Sequence, residues 1–490
     1  MKRFCLLFVL FLMSLSISYA QQQSVTALRR LLLDSLFEKS QVAISIYDIT
    51  LDKPLFSYQS KQLYRPASTQ KLLTSITALN QLGSHHSFST TVYYTGELKR
   101  NIIKGDLYVV GGFDSEFDTS SMDSLVQKIV RSGVKEVQGT VYGDVSLTDS
   151  LYWGPGWIWD DTPGGFQPYM SPLLVDKGCA KLKITPQKIG EKPLVTIDPV
   201  STFYSLRNEA VSKSHGKLKV TRNWLEGGNE LIVRGNATHR TTRFVNLYNS
   251  QSFFMHLFIE KLQKRGIKIN PAASSSHSEK RSGMESYPST ISPLYAFKQC
   301  PVEESCQPIA SFSHSLKEVL HQALKNSDNL SAEALLCHLG VSEKGTRHIS
   351  RKDGIQAIFH LMKQLGMDKK NYKIVDGCGL SNYNYLSTEL LVKFLRYAYS
   401  KPSIFVPLYR SLPIAGVDGT LKYRMGKGYA HCNVRAKTGT MTGVSSLAGY
   451  LKDRKGHTIA FAIMNQNMLS VQKVRAFQDK ICEILCATID

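Results

Sequence analysis

The chain has 490 residues, of which 42% are hydrophobic and 10% aromatic. This is ordinary globular composition with apolar material for two or three packed cores, so a single compact domain is not expected. Its 60 lysines and arginines outnumber 39 aspartates and glutamates, for a net charge of +21. They are scattered rather than clustered with aromatic residues, which disfavours nucleic-acid binding and suits an anionic neighbour such as the cell envelope.

Residues 1–20 predict a secretory signal peptide. Lys2 and Arg3 precede an apolar run from 5 to 17, and Ala20 ends a small-residue cleavage site. The run is short for a bilayer-spanning helix, so cleavage is favoured over a retained membrane anchor. We therefore expect a periplasmic or otherwise extracytoplasmic protein, cleaved near Ala20.

Hydrophobic periodicity then predicts a first group of elements. Residues 24–39 have helical spacing, a strand covers 42–47, and a turn at 51–54 leads to a second strand at 55–58. A helix begins near Ser68 and stops at Gly83.

The predicted secondary structure changes in the middle of the chain. From about 90 to 290, short strand-like runs and turns predict a β-rich region. It ends at a Ser-rich stretch, 272–278, and a loop carrying Pro293, Pro301 and Pro308. Helices are then predicted at 316–324, 331–339, 355–365 and 390–399, followed by strands at 433–438, 447–451 and 458–464 and a helix at 471–485.

The cysteines give no strong signal. The chain has 9, and an exported protein could oxidise them to disulfides. They are too sparse for a disulfide scaffold, and no pair of Cys-x-x-Cys units indicates zinc. Cys300 and Cys306 could close a small loop or remain free thiols, and both alternatives stay open.

Ser-x-x-Lys occurs at Ser68/Lys71, Ser132/Lys135, Ser214/Lys217 and Ser470/Lys473, so the motif alone is weak. The first copy starts the predicted helix, where residues three apart share a face and Lys71 can point back at the Ser68 hydroxyl. A serine is a poor nucleophile until a base takes its proton, which a lysine can do only when neutral. Burial and a second nearby cation would both lower the pKa of Lys71.

Two further motifs supply what this chemistry needs. Lys437-Thr438-Gly439-Thr440, the only Lys-Thr-Gly, ends a predicted strand and offers a cation beside an edge that substrate backbone can approach. Ser327-Asp328-Asn329 precedes a predicted helix; its hydroxyl could relay a proton and its amide could hold a carbonyl. Alone, each motif has an ordinary explanation, a helix cap or a solvated strand residue. All three in this order favour a catalytic site.

The motif set resembles that of the penicillin-recognising serine enzymes. The long stretch between Ser68 and Ser327 resembles the D-alanyl-D-alanine carboxypeptidase/endopeptidase family, the class C penicillin-binding proteins, in which β-rich domains interrupt the catalytic one. Four more stretches are similar to the family's, while Gly111-Gly112-Phe113-Asp114 departs from its Gly-Gly-Gly-Asp-Pro turn. The four are 157–161, 175–179, 376–381, with Cys378 in place of a serine, and 412–421.

The resemblance implies an α/β (α+β) fold: a penicillin-binding/β-lactamase-like transpeptidase domain, with an antiparallel sheet and flanking helices, carrying large β-rich inserted domains. The catalytic domain is expected to comprise 21–95 and 290–490. The insertion, 96–289, is expected to form two subdomains, about 96–176 with 265–289, and 177–264.

The resemblance also implies residue roles. Ser68 would be the nucleophile, Lys71 its base and Ser327 the relay to the leaving amine, while Asn329 would orient the acyl side. Lys437, Thr438, Gly439 and Thr440 would hold the substrate's terminal carboxylate, and the backbone N–H groups of Ser68 and Thr440 would form an oxyanion hole. Asp161 would recognise the amino group of the stem-peptide side chain; a solvated loop aspartate is the alternative.

These roles imply a serine D-Ala-D-Ala carboxypeptidase or endopeptidase acting on peptidoglycan stem peptides, with β-lactams as covalent inhibitors and no metal or cofactor. A β-lactamase or esterase on the same fold is one alternative, distinguished by fast turnover of a β-lactam adduct. A non-catalytic peptidoglycan-binding scaffold is another. Sequence leaves open the preferred bond, the third stem residue, the oligomeric state and a peripheral association with membrane or wall.

Overall fold

The computed structural model describes residues 24–149, 151–270, 294–301 and 305–488. The predicted signal peptide, the Ser-rich stretch 272–278 and Pro293 lie outside the described residues.

The helices run in chain order as follows: α1 (24–31), α2 (Gln70–Gln81), α3 (Thr119–Arg131), α4 (Ser250–Lys264), α5 (Leu316–Lys325), α6 (Asn329–Lys344), α7 (Arg351–Gln364), α8 (Thr388–Tyr399), α9 (Pro402–Ser411) and α10 (Val471–Ala487). The strands are β1 (Gln41–Asp48), β2 (Lys53–Tyr58), β3 (Ser87–Tyr94), β4 (Glu97–Lys99), β5 (Ile102–Lys104), β6 (Leu107–Val110), β7 (Glu136–Val137), β8 (Val141–Asp144), β9 (Cys179–Thr185), β10 (Leu194–Asp198), β11 (Ser205–Ser212), β12 (Leu218–Arg222), β13 (Glu230–Ala237), β14 (Thr241–Asn246), β15 (Lys268–Ile269), β16 (Tyr295–Phe297), β17 (Gln307–Ser315), β18 (Arg435–Met441), β19 (Val444–Lys452) and β20 (Thr458–Gln466).

An antiparallel sheet with strand order β18-β19-β20-β1-β2 joins the two ends of the chain. Helices α2 and α5 to α9 contribute to the apolar core on one face of this sheet, and α1 and α10 to the core on the other. Strands β19 and β20 are accordingly buried along almost their whole length, as expected of strands covered on both faces. This confirms the predicted fold class.

The middle of the chain forms four further sheets around a core of its own. The β-rich prediction missed two helices there, α3 and α4. Asp118 caps the start of helix α3, since its side chain accepts a hydrogen bond from the Ser121 backbone N–H. Helix α4 buries Phe253, Phe254 and Phe258, and such aromatic residues favour strands, which hid its helical character in the sequence.

The strands that flank the insertion belong to one sheet. β3 and β17 pair with each other, and β3 pairs with β6, in the order β16-β8-β6-β3-β17. The predicted loop at Pro308 is therefore wrong, because Pro308 lies in β17. This is an edge strand with an irregular register between Pro308 and Ala310, where a missing backbone N–H is tolerated. The proposed division into 21–95 with 290–490 and 96–289 stays a prediction.

Two helices differ from the sequence prediction. The helix predicted over 24–39 ends at 31 and a separate 3-10 turn covers Ser35–Glu38, while α9 was not predicted. Phe113 adopts φ +52, a left-handed conformation that favours glycine, at a position where the family turn has glycine. Cys300 and Cys306 are free, with their sulfur atoms 3.4 Å apart. In the described part of the chain, none of the helices combines the length and apolar character that a membrane crossing requires.

Candidate active site

Ser68 lies in the turn that leads into α2. The preceding Ala67 has φ +48, an unusual conformation for a residue with a side chain. One turn later, the Nζ atom of Lys71 lies 2.9 Å from the Oγ atom of Ser68. The three-residue spacing thus brings a base candidate to a nucleophile candidate, as the sequence predicts.

Lys71 is fully buried, and two other oxygens meet its amine. The Asn329 Oδ1 and the Cys378 backbone oxygen each lie 2.7 Å from Nζ. Burial lowers the pKa of Lys71, and the neighbouring acidic groups only partly offset it. A neutral amine can donate to Asn329 and Cys378 and still direct its lone pair at the Ser68 hydroxyl.

Buried carboxylates hold the turn that supplies the Cys378 oxygen. Glu333 Oε1 accepts hydrogen bonds from the backbone N–H groups of Gly377 and Cys378, at 2.8 and 2.9 Å. Asp376 accepts from Gly379 N–H at 2.8 Å. Glu333, Asp376 and Cys378 form a cluster of metal-ligand type, but these hydrogen bonds assign the carboxylates to fixing the turn beneath Lys71.

Lys437, on β18, is the second buried lysine of this site. Its Nζ atom lies 2.8 Å from the Ser327 Oγ, and its side chain is fully buried. Burial, together with the charge of Lys71, holds the pKa of Lys437 well below its usual range. Ser327 has φ +60, so its backbone is held in a conformation that non-glycine residues rarely adopt.

Gly439 lets β18 approach the Ser68 turn closely. A Cβ atom at this position would lie 2.8 Å from the Pro66 backbone oxygen and 3.0 Å from the Ser68 backbone nitrogen. Any side chain would therefore separate the Lys-Thr-Gly strand from the segment that carries Ser68. The glycine keeps the two elements next to each other.

The hydroxyls of Thr438 and Thr440 have partners that the motifs alone do not reveal. The Thr438 Oγ1 lies 2.7 Å from the Thr420 Oγ1, and Arg475 donates to the Thr440 Oγ1 over 3.2 Å. Thr420 falls in the family-like stretch 412–421. Arg475 lies on α10 with no sequence signal to single it out, and it adds a cation to the end of the strand where a carboxylate is expected.

Asp161 lies in the short 3-10 turn Trp159–Asp161. Partial burial and the neighbouring Asp160 raise the pKa of its carboxyl group. A nearby residue, Phe166, contacts the Ser327-Asp328-Asn329 motif. Its backbone oxygen accepts a hydrogen bond from Asn329 Nδ2 at 2.7 Å. Recognition of the stem peptide by Asp161 stays a prediction.

A serine in contact with a buried lysine, facing a second buried lysine and a Ser-x-Asn turn, defines a serine acyl-transfer site of the penicillin-binding class. The sheet and helices that carry it match that class. The chain belongs to the D-Ala-D-Ala carboxypeptidase 3 (S13) family, whose profile matches residues 24–284 and 297–488.

Individual proteins of known name are also similar to this chain. A D-alanyl-D-alanine carboxypeptidase of Actinomadura sp. is 28% identical over 450 residues, covering 88% of this chain and 79% of the relative. The D-alanyl-D-alanine carboxypeptidase DacB of Haemophilus influenzae is 25% identical and covers 88% and 86%. The crystal structure of penicillin binding protein 4 (dacB) from Haemophilus influenzae is similar in fold, with a TM-score of 0.77, 22% identity and coverage of 94% and 97%.

Proposed function

We propose that this chain is a serine-type D-Ala-D-Ala carboxypeptidase that acts on peptidoglycan stem peptides, with Ser68 as its nucleophile. The observation that carries the proposal is the 2.9 Å contact between the Ser68 hydroxyl and the buried amine of Lys71. Lowering the pKa of this lysine makes a base available where a serine needs one.

In acylation, neutral Lys71 takes the Ser68 proton as the Oγ atom attacks the carbonyl carbon of the penultimate D-alanine. The carbonyl oxygen becomes an oxyanion, which the backbone N–H groups of Ser68 and Thr440 stabilise. The C–N bond then breaks, and the leaving amine takes a proton from the Ser327 hydroxyl. Lys437, in its protonated form, replaces that proton, because its Nζ lies 2.8 Å from the Ser327 Oγ.

The products are free D-alanine and an ester on Ser68. Thr438, Gly439 and Thr440 would hold the terminal carboxylate, with Arg475 close to the Thr440 hydroxyl. Lys71 passes the proton that it took from Ser68 to Lys437, which resets both lysines. Water then attacks the ester carbonyl while neutral Lys71 takes its proton, and Lys71 returns this proton to the Ser68 Oγ as the ester bond breaks, which releases the shortened peptide and restores Ser68. If the leaving amine belongs to a second, cross-linked stem peptide and not to free D-alanine, the same step cuts the cross-link, which is an endopeptidase cleavage.

The proposed setting is outside the cytoplasm. The predicted signal peptide supports export, since peptidoglycan lies there, and the net charge of +21 suits an anionic envelope. β-Lactams would acylate Ser68, because their amide presents the same kind of carbonyl to the nucleophile.

The test is release of D-alanine from a synthetic stem pentapeptide by the purified mature protein. We expect release by the wild type and none above background by Ser68→Ala, with Ser132→Ala, a serine of another Ser-x-x-Lys, as the control that retains activity. Protein that binds sacculi but neither releases D-alanine nor retains a penicillin adduct would support the scaffold alternative. Rapid hydrolysis of the penicillin adduct would support the β-lactamase alternative.

A further inference from the structure

The inserted region reaches into the active site through Lys177. This residue lies in the turn Asp176–Gly178, and its Nζ atom lies 3.3 Å from Asp328 Oδ1 and 2.8 Å from Glu116 Oε1. Asp328 is the central residue of Ser327-Asp328-Asn329, whereas Lys177 and Glu116 both belong to the predicted insertion. Lys177 has φ +59, a strained conformation that its surroundings must impose.

Lys177 lies between two carboxylates that would otherwise repel each other. The Ser331 Oγ atom lies 2.7 Å from Glu116 Oε1 and 2.6 Å from Asp328 Oδ1, so both carboxylates approach one hydroxyl that has a single proton to give. The Lys177 side chain is 29% exposed, and those of Glu116 and Asp328 are 12% and 24% exposed. Solvent therefore screens this repulsion only partly when the lysine is removed.

The same turn carries both functional side chains that face the buried lysines. Asp328 accepts a hydrogen bond from Ser331 N–H as the cap of α6, with Ser327 and Asn329 on either side of it. The Ser327 Oγ lies 2.8 Å from Lys437 Nζ and the Asn329 Oδ1 lies 2.7 Å from Lys71 Nζ. A displacement of Asp328 would thus change both distances at once.

We propose that Lys177 is a positioning residue: by neutralising the repulsion between Glu116 and Asp328, it fixes Ser327 and Asn329 against the two catalytic lysines. The inserted region then sets the rate of the chemistry. This inference rests on the proposed function. Lys177 does not itself contact the substrate in this arrangement, so its loss lowers kcat and the rate of acylation by more than it raises KM.

The experiment measures acylation by a fluorescent penicillin, together with kcat and KM for D-alanine release and the thermal midpoint. For Lys177→Met we expect acylation slowed by about 10- to 100-fold, since a displacement of about 1 Å at catalytic groups has effects of this size. The control is Lys183→Met, which removes the same charge from an exposed position on β9 and should keep the wild-type rate.

The double variant Lys177→Met/Glu116→Gln separates electrostatic positioning from packing. Removing the Glu116 charge relieves the repulsion, so the double variant should acylate faster than Lys177→Met alone, and Lys177→Arg should restore most of the rate. These two variants also test the inference if Lys177→Met folds poorly. Unchanged acylation in Lys177→Met, a raised KM with unchanged kcat, or no recovery in the double variant would overturn it. If the wild type itself is not acylated, the proposed function fails instead.

Discussion

Replacing Gly439 by alanine should push the Lys-Thr-Gly strand, β18, away from the turn that carries Ser68. The added Cβ atom would lie 2.2 Å from the Ser446 Oγ, 2.8 Å from the Pro66 oxygen and 3.0 Å from the Ser68 nitrogen. Ser446 can rotate away, although this would break its 2.6 Å hydrogen bond to the Pro66 oxygen. The other two atoms belong to the backbone, so β18 or the Ser68 turn must move by several tenths of an ångström.

That movement separates the two backbone N–H groups of the proposed oxyanion hole, those of Ser68 and Thr440. Loss of one such donor slows acyl transfer by about 100- to 1,000-fold, and we expect Gly439→Ala to lower the rate of penicillin acylation by this order. The assay is time-resolved labelling with fluorescent penicillin. Gly426→Ala is the matched control, because a Cβ atom there meets no atom within 4 Å. Wild-type acylation by Gly439→Ala would refute the reasoning.

The remaining predictions concern the base, the proton relay and the inserted region. The rate of acylation should rise with pH as Lys71 loses its proton, and level off below the ordinary lysine pKa of about 10.4, because burial lowers the pKa of Lys71; a rate that falls between pH 6 and pH 8 would contradict this. Ser327→Ala should lower kcat for D-alanine release by about 100-fold or more with little change in KM, since proton transfer to the leaving amine contributes 100- to 10,000-fold; steady-state kinetics would show a raised KM alone if Ser327 only binds substrate. Phe258→Ala should destabilise the insertion by about 3–5 kcal/mol in denaturant unfolding, because the side chain is fully buried; a loss below about 1 kcal/mol would show that the core there is loosely packed.

Local sequence patterns predicted much of the catalytic sheet and its motifs. Ser68 lies in the 3-10 turn Ala67–Thr69 that continues into α2, so its contact with Lys71 three residues later follows from local helical geometry. The strand that carries Lys437-Thr438-Gly439 was predicted at 433–438 with the motif at its end, whereas β18 covers Arg435–Met441 and the motif lies inside it. The direct contact between Asn329 and Lys71 was not predicted, because it joins segments that are far apart in the sequence.

No local sequence pattern predicted the contacts that depend on the tertiary fold. The Cys378 backbone oxygen beside Lys71 is invisible to a search by residue type, because a main-chain carbonyl is common to every residue. Lys177 lay in a stretch already marked as family-like, but its pairing with Asp328 follows from how the insertion packs on α6. Helix α4 was missed because its aromatic side chains also suit strands, which shows that tertiary packing overrides local preference.

The central claim is that the hydroxyl of Ser68 becomes the acyl carrier. Peptide mass spectrometry of the folded protein after brief treatment with benzylpenicillin tests it most directly. We expect the mass of one penicillin on the peptide that contains Ser68 and no adduct on Ser68→Ala. An adduct on another residue, or a folded wild-type protein that stays unmodified, would contradict the account.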